Sequence, residues 1–330
     1  MTSLSKSKYH EETSHGLDMV NKFEVVEGGY FERRIISIED NNEARNFQLS
    51  LGETRLESGH HLGALIGRGK ASSEYVYLGL TIKGGEYTRY NGIPTGIGNL
   101  RIYPEGAEIL YQSMGEAEWF TYAISREKLQ EALDEYDRGK IKLIPHQIMT
   151  FPLKTENYEQ LKTLFLDIKQ MAYKPGETAL SEEVSRMLSI ALLNGFINAI
   201  FASEGQADPI KPNSLTLLHG QLIMATEQLM LSGQENNLKL SDLAKATGYT
   251  LRALEFIFKN SVGMSPKNWF VNMRMNGALR DLMEAKPNTT VSDVATRWGF
   301  QHLARFSAQY RDMFGELPSK TLSRVRERNK

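Results

Sequence analysis

Two stretches near the carboxyl end decide the fold class of this part of the chain. Residues 243–266 read LAKATGYTLRALEFIFKNSVGMSP, and residues 294–318 read VATRWGFQHLARFSAQYRDMFGELP. One inserted residue after the first glycine aligns them, and six positions of matched character then recur in the same order. The pairs are Leu243-Ala244 with Val294-Ala295, Gly248 with Gly299, Leu254 with Phe306, Phe258 with Tyr310, Gly263 with Gly315, and Pro266 with Pro318. The two stretches are therefore an internal repeat.

Each copy of the repeat has the pattern of two short helices joined by a turn. A small alanine permits close approach of a crossing helix, and a glycine four residues later permits the left-handed conformation that ends a helix. Two helices that cross steeply through such a turn form a helix-turn-helix unit, so the sequence predicts two units. We expect Ser241 and Ser292 to cap the first helix of each unit, and Thr250 to cap the second helix of the first.

One long helix is predicted between the two units. Ser265-Pro266 is a favourable start, and the apolar side chains that follow recur at helical spacing up to Ala285. Twenty residues make a helix about 30 Å long, close to the ~34 Å between major-groove segments on one face of DNA. Gly277, inside this helix, predicts either close packing or a slight bend.

Charge and composition indicate what surrounds the repeat. The 330 residues predict two or three domains, and the overall charge of −1 divides into +6 from Ser214 onward and −7 before it. A basic carboxyl-terminal third favours a nucleic-acid-binding module. The chain has no cysteine, which excludes disulfides and cysteine-ligated metals and fits a cytoplasmic setting. No apolar run approaches the ~18–20 residues of a membrane span, so a membrane partner is not expected.

The preceding sequence predicts a β-rich domain followed by helices. Runs of β-branched and aromatic residues at 75–82, 99–103 and 119–124 alternate with turn formers, a pattern typical of a barrel or sandwich. Helical periodicity covers 156–203, where the apolar stripes either pack on their own domain or form a dimer interface. The predicted organisation is a flexible leader at 1–22, a sensor or dimerisation domain at 23–203 ending in this helical pair, a linker at 204–213, and a DNA-binding domain at 214–330.

These motifs carry a family resemblance. Residues 214–325 resemble the DNA-binding domain of the AraC/XylS transcription regulators, and residues 75–133 resemble the cupin-like sensor domain of many members. The first resemblance rests on Gly299-Phe300, Phe306, Tyr310, Phe314-Gly315 and Pro318, and on Phe258-Lys259, Gly263, Ser265-Pro266 and Arg274. The second rests on Gly84-Gly85-Glu86-Tyr87 and on residues 98–106.

The resemblance implies a fold and a function. The fold would be α+β: an N-terminal cupin-like β-barrel with flanking helices, then an all-α domain of two helix-turn-helix units joined by a long helix. The function would be sequence-specific regulation of transcription, most often activation, by a homodimer that responds to a small-molecule effector and contacts RNA polymerase. Two alternatives stay open: an effector-independent regulator whose β domain only dimerises, and a cupin-type enzyme with a DNA-binding appendage.

In the first unit the resemblance assigns base contacts to one face of the second helix. Arg252 could donate to guanine, Glu255 could accept from cytosine, and Phe256 could meet a thymine methyl group. Lys259 and Thr250 would contact the phosphate backbone or support the helix.

The second unit departs from the family pattern. Ala308 stands where arginine is common, and helical periodicity leaves His302, Arg305 and Gln309 outside the core. The resemblance implies base contact by Leu303 and Arg305, whereas helical periodicity places Leu303 on the core face and retains Arg305. Supporting contact is expected from His302 and Gln309. The first unit is therefore expected to carry most base-specific recognition.

No catalytic constellation is recognisable, and neither a metal nor a cofactor is predicted. The adjacent His60 and His61 would face opposite sides of a strand and could not readily chelate one ion. The β domain is expected to bind an organic effector, although strand alternation should turn half of the candidates outward. The candidate pocket residues are Tyr75, Tyr77, Tyr87, Arg89, Arg101 and Tyr103.

Overall fold

The computed structural model of the chain describes residues 9–20, 29–38, 42–137, 141–145, 147–172, 180–202, 214–231 and 240–328. Within these residues the chain forms twelve strands. They are β1 (Tyr9–His15), β2 (Tyr30–Ile35), β3 (Glu43–Leu51), β4 (Thr54–His61), β5 (Leu65–Lys70), β6 (Val76–Lys83), β7 (Thr88–Tyr90), β8 (Ile93–Pro94), β9 (Asn99–Tyr103), β10 (Glu108–Ser113), β11 (Ala117–Ile124) and β12 (Met149–Pro152).

Three helices belong to the β-rich part and seven follow it. The first three are α1 (Arg126–Asp137), α2 (Thr155–Ala172) and α3 (Glu182–Phe201). The others are α4 (Ser214–Leu231), α5 (Leu240–Thr247), α6 (Leu251–Val262), α7 (Pro266–Met283), α8 (Val291–Arg297), α9 (Leu303–Phe314) and α10 (Pro318–Arg328). The α+β class is confirmed.

The strands form two antiparallel sheets. The larger sheet has the order β1-β3-β4-β11-β6-β9-β12, and the smaller has the order β2-β5-β10-β7-β8. A closed barrel needs its strands to pair in an unbroken ring, whereas the described strands of these two sheets do not pair with each other. The expectation of a barrel is therefore wrong, and the sandwich alternative describes the fold.

Helices α1 to α3 cover the outer face of the larger sheet. Successive side chains of a strand point to opposite faces, and on β11 the alternation turns Phe120 and Tyr122 outward. The Phe120 ring stacks on Phe165 of α2 at 4.4 Å between centroids, and Tyr122 stacks on Phe196 of α3 at 5.8 Å. Among the described helices, α3 is long and apolar enough to span a membrane, but its buried side chains join this core.

The amino-terminal residues correct the prediction of a flexible leader. Strand β1 pairs with β3 along its whole length, and the 3-10 helix Gly16–Val20 buries Leu17, Met19 and Val20. Strand β1 has a polar sequence because it lies at an exposed sheet edge, where backbone pairing rather than side-chain burial stabilises it. The rest of the predicted leader, together with the predicted linker 204–213, lies outside the described residues.

The two copies of the repeat form the helix pairs α5–α6 and α8–α9, with α7 between them. Gly248 (φ 73°) and Gly299 (φ 75°) lie in the turns in the left-handed conformation, as the sequence predicts. Ser265 caps α7 by accepting a hydrogen bond from Asn268 N at 3.3 Å, and Pro266 begins the helix. Eighteen residues belong to α7, two fewer than predicted.

Two of the predicted caps are wrong. Helix α8 begins at Val291, so Ser292 lies inside its first turn, and Thr290 is the cap. The Thr290 hydroxyl accepts a hydrogen bond from Asp293 N at 3.1 Å and donates one to the Asp293 carboxylate at 2.7 Å. Likewise α5 begins at Leu240, so Ser241 lies within the helix.

Candidate DNA-binding surface and ligand cavity

The face predicted to read DNA in the first helix pair is open to solvent. Thr250 caps α6 by accepting a hydrogen bond from Ala253 N at 3.2 Å, as predicted. The buried side of α6 consists of Leu254, Ile257, Phe258, Ser261 and Val262. The opposite side exposes Arg252, Glu255, Phe256 and Lys259, and Phe256 is 64% exposed. This side of α6 therefore packs against none of the described residues and is accessible to a partner.

Helix α9 presents the corresponding face in the second pair. Phe306, Tyr310 and Phe314 are buried. His302, Leu303 and Arg305 are exposed, and Gln309 is half-buried. Leu303 fits the helical period of the core but is 45% exposed, because it lies at the first position of the helix.

Helix α7 holds the second helix pair by close packing. A Cβ atom on Gly277 would lie 2.1 Å from Cη2 of Trp298, so the indole ring lies directly on the glycine. The Arg274 guanidinium lies 5.3 Å from the centre of the Phe300 ring, and burial lowers the pKa of this arginine. Gly277 thus permits close approach, and Arg274 packs between elements.

The smaller sheet docks on the helical region through a buried ionic cluster. Glu227 of α4 is fully buried and binds Arg34 of β2 at 2.5 Å and Arg68 of β5 at 2.8 Å. The Arg34 guanidinium also lies 5.2 Å from the centre of the Trp269 ring. A buried charge is tolerated only with partners of this kind, so the cluster fixes how the two regions fit together.

Side-chain amides also join the sheet and the helices, each by hydrogen bonds to backbone groups of the other. Asn276 of α7 accepts from Ile35 N at 2.7 Å and donates to Ile35 O at 2.8 Å, and Asn272 donates to the same carbonyl at 2.7 Å. Gln112 of β10 donates to Val262 O, at the end of α6. One face of the smaller sheet thus touches both the connecting helix and α6.

The opposite face of the smaller sheet lines a cavity between the two sheets. The volume of the cavity that is open to the centres of water molecules is about 80 Å³. At ~10–15 Å³ per water this volume holds several waters, or one small organic molecule in their place. Its lining residues are Phe31, Arg33, Asn46, Gly59, His60, His61, Leu65, Gly67, Ala71, Tyr77, Tyr90, Tyr103, Ile109, Tyr111, Trp119 and Thr121.

Burial controls the charges in this cavity. It lowers the pKa of His61 to about 3, so the imidazole is neutral near pH 7. The neutral ring donates from Nδ1 to Gly63 O at 3.0 Å, and its Nε2 accepts from the Tyr111 hydroxyl at 2.6 Å. Burial also lowers the pKa of Arg33 to about 9, and its Nη2 donates to Asn46 Oδ1 at 2.9 Å.

The structure separates the six predicted pocket residues. Tyr77 and Tyr103 line the cavity, and Arg101 lines a recess that adjoins it. Tyr75 precedes β6 and lies under the Arg55 guanidinium, and the Tyr87 hydroxyl donates to Glu116 O at 2.7 Å. Arg89 lies opposite Gln112 in the sheet, on the face that meets α6.

Several lining residues were missed by the sequence analysis. Arg33, Tyr90, Tyr111 and Trp119 all face the cavity. Alternation along 117–124 could have placed Trp119 and Thr121 on one face, but only long-range pairing brings β2 and β10 opposite them.

The two adjacent histidines both line the cavity but bond to different partners. His60 Nε2 lies 2.9 Å from Glu116 Oε1, whereas His61 bonds within the cavity. In the part of the chain that the structure describes, no group of three or more histidine or carboxylate side chains is placed to hold a metal ion.

Comparisons with known proteins agree with this geometry. A sequence profile for a helix-turn-helix domain matches residues 243–324. The chain is 30% identical over 178 residues to the probable thc operon regulatory protein of Rhodococcus erythropolis, covering 54% of this chain and 52% of that protein. It is 32% identical over 101 residues to the XylDLEGF operon transcriptional activator of Pseudomonas putida, covering 30% of this chain and 32% of that protein. The chain thus spans about half the length of the first relative and a third of the second.

One solved structure is also similar to part of the chain. The probable AraC family transcriptional regulator from Rhodopseudomonas palustris CGA009 is 31% identical, covering 32% of this chain and 97% of that chain with a TM-score of 0.30. The carboxyl-terminal part of the chain is therefore a helix-turn-helix DNA-binding domain. It belongs to the AraC/XylS family, as its motifs predict.

Proposed function

We propose that the chain is a sequence-specific transcriptional regulator that binds promoter DNA in the cytoplasm and activates transcription in response to a small-molecule effector. The observation that carries this proposal is the solvent-exposed face of α6, with Arg252, Glu255 and Phe256, inside a matched helix-turn-helix domain. The names of the relatives support regulation of transcription, and one of them is called an activator. RNA polymerase would be the partner through which activation occurs.

The two recognition helices would contribute unequally. Helix α6 presents a guanidinium, a carboxylate and an aromatic ring, which can each discriminate base edges. Helix α9 presents Leu303 and Arg305 with Ala308 beside them, so it offers fewer polar groups to the bases. We infer that α6 specifies sequence, whereas α9 mainly docks, with His302 and Gln309 supporting it.

Selection of bound DNA fragments by the purified full chain tests this proposal, repeated at two salt concentrations. We expect a motif that spans two major-groove segments. Arg252→Ala should lower discrimination between matched and mutated sites by about 1–3 kcal/mol, whereas Arg305→Ala should weaken both alike. Lys259→Ala is the matched control for lost charge, because a phosphate contact reduces affinity without changing base preference. Equal losses of discrimination in Arg252→Ala and Arg305→Ala would refute the asymmetry.

The cavity is the proposed effector site because the smaller sheet connects it with the DNA-binding helices. On β2, Arg33 lines the cavity while Arg34 binds Glu227 of α4. On β10, Tyr111 lines the cavity while Gln112 bonds to Val262 O at the end of α6. A molecule that displaces the inward side chains would therefore shift groups that hold the recognition helix. This arrangement favours effector response over a β domain that only dimerises.

The helix pair α2–α3 is the proposed dimer interface. Leu166 and Met171 of α2 and Met187 and Ile190 of α3 are exposed large apolar residues, an unusual density for a solvent-facing surface. Mass measurement of the full chain by light scattering tests this point. Met187→Glu should shift the mass toward the monomer, whereas Lys162→Glu, at a half-buried lysine on the same helix pair, should not.

A further inference from the structure

Residues 34–38, which we call the bridging segment, contact three parts of the DNA-binding domain in succession. They comprise the last two residues of β2 and the three that follow. Arg34 Nη2 lies 2.5 Å from Glu227 Oε1 of α4, the helix that precedes the first helix pair. At the next position, the Ile35 N–H and C=O both bond to the Asn276 amide of α7, at 2.7 and 2.8 Å. Consecutive residues thus hold α4 and the connecting helix.

The third contact of the bridging segment is with the recognition helix of the second pair. Ile38 N donates to Met313 O at 3.1 Å, one residue before α9 ends at Phe314. The last four carbonyl groups of a helix have no partner within it, so this bond satisfies an acceptor that α9 itself leaves open. The bridging segment therefore extends from α4, across α7, to the end of α9.

The side chains of the bridging segment join the hydrophobic cores of both helix pairs. Ile36 packs against the cluster that contains Leu254 of α6. Ile35 is part of the cluster that contains Phe306 of α9, and Ile38 packs against the same cluster. Adjacent side chains of an extended chain point in opposite directions, so one short segment can enter two cores. Loss of these side chains would weaken the packing of both helix pairs.

Helix α7 also joins the two helix pairs, but along a considerable length. At one end the Phe258 ring of α6 lies 5.7 Å from the Phe270 ring, between centroids, and farther along Trp298 lies on Gly277. With 18 residues α7 is about 27 Å long, so a change of ~10° in the angle at one end would displace the far helix pair by about 5 Å. That displacement exceeds the ~3.4 Å rise of one base pair. A second attachment outside α7 therefore affects how accurately the two pairs are spaced.

We propose that the bridging segment fixes the distance between the DNA segments that α6 and α9 contact, so that the β-rich part determines which spacing of those segments the chain accepts. This inference rests on the proposed function, because it takes both helices as contacting DNA. Arg34, Ile36 and Ile38 are positioning residues in this role. They select the spacing of a site rather than its bases.

Operators of altered spacing test the inference on the full chain. The probes are the selected operator and copies with one or two base pairs inserted between its two segments, and affinity is measured by fluorescence anisotropy. One inserted pair moves the second segment by ~3.4 Å and turns it by ~35° around the duplex axis, so the wild-type chain should lose about tenfold in affinity or more. A wild-type chain that ignores the insertions would refute the two-segment reading in the proposed function, and this inference with it.

Variants of the bridging segment should relax the spacing requirement. Ile38→Pro removes the N–H that donates to Met313 O, and the double variant Ile36→Ala, Ile38→Ala weakens the packing in both cores. The loss on insertion should fall from about tenfold to about threefold or less, because the second helix pair can then follow the displaced segment. Ile97→Ala, at a 55% exposed isoleucine of the β-rich part, is the matched control and should keep the wild-type loss.

Cooperative urea unfolding verifies that each variant folds. The double alanine variant keeps every backbone N–H, so it preserves the test if Ile38→Pro does not fold. Folded bridging variants that lose as much affinity on insertion as the wild-type chain would overturn the proposal.

A distance measurement without DNA separates this inference from the proposed function. The chain has no cysteine, so Asn260→Cys on α6 and Asp312→Cys on α9, both at exposed positions, can carry a pair of spin labels. The distribution of distances between the labels should be broader in the bridging variants than in the wild-type background or in Ile97→Ala. An unchanged width would overturn the role of the bridging segment, even if the wild-type chain is sensitive to spacing. If the distribution broadens while the wild-type chain ignores the insertions, the two-segment reading is the part that fails.

Discussion

Gly277 illustrates how one missing methyl group fixes the position of a helix pair. Alanine is favoured over glycine in a helix by ~1 kcal/mol, yet a Cβ atom here would overlap the Trp298 ring. We expect overpacking, at ~1–3 kcal/mol or more, to exceed that gain, so Gly277→Ala should lower the free energy of unfolding in urea. Gly195→Ala in α3 is the matched control, because the new methyl group would meet only the flexible ends of Leu161 and Leu164. A stabilised Gly277→Ala variant would contradict the close packing.

His61 predicts how the stability of the chain depends on pH. Its pKa is about 3 in the folded chain, against about 6.5 when unfolded, so below pH 6.5 the unfolded state binds the additional proton. Stability is then lost as the pH falls from 6.5 toward 3, by up to ~1.4 kcal/mol per pH unit. His61→Gln should remove this contribution. The free energy of unfolding should then depend less steeply on pH between 6.5 and 5, by up to ~1.4 kcal/mol per pH unit. An unchanged slope in His61→Gln would contradict the low pKa of the buried imidazole.

Helix α8 offers a test of capping that discriminates two neighbouring hydroxyl groups. Thr290 accepts a hydrogen bond from Asp293 N, whereas Ser292 lies exposed within the first turn. Thr290→Ala should therefore lower the free energy of unfolding by about 0.5–2 kcal/mol, whereas Ser292→Ala should change it by a few tenths. Urea titrations of the two variants give the comparison, and equal losses would show that the assigned cap does not act.

Among the helices and strands, the features that depend on neighbouring residues could be predicted from the sequence, whereas the features that depend on distant residues could not. The helix pairs, the glycine turns and the Ser265-Pro266 start depend on neighbours within a few residues, and the sequence predicted them. The pairing of β1 with β3 and the separation into two sheets depend on residues far apart in the chain. The same division explains the site: the solvent-facing side of α6 follows from helical periodicity. Only Tyr77, Arg101 and Tyr103 among the six predicted pocket residues lie at the cavity or its recess.

At the scale of the molecule, the structure consists of layers. Helices α1 to α3 cover the larger sheet, the cavity separates the sheets, and the smaller sheet rests on the DNA-binding helices. Glu227 lies where the smaller sheet meets the helices, buried between Arg34 and Arg68.

Glu227→Gln should loosen the contact between these two layers. The substitution leaves Arg34 and Arg68 buried without their counter-charge, so we expect the free energy of unfolding to fall by about 3–5 kcal/mol. Glu159→Gln removes the same charge from an exposed pair with Lys162 and should cost less than ~1 kcal/mol. Urea unfolding of both variants makes the measurement, and similar losses would mean that the buried cluster does not hold the layers together.

The smaller sheet lines the cavity with one face and contacts α6 and α7 with the other. This arrangement has a consequence for engineering the chain as a biosensor. Residues of the sheet's inward face, such as Tyr90 and Tyr111, alternate with residues that hold α6 and α7. Under the proposed effector role, changing them to admit a new ligand would disturb the response to the ligand as well as the choice of ligand. Residues Thr121 and Trp119, on the larger sheet, line the same cavity from the side away from DNA. Libraries that begin on the larger sheet should therefore yield altered ligand preference with an intact response.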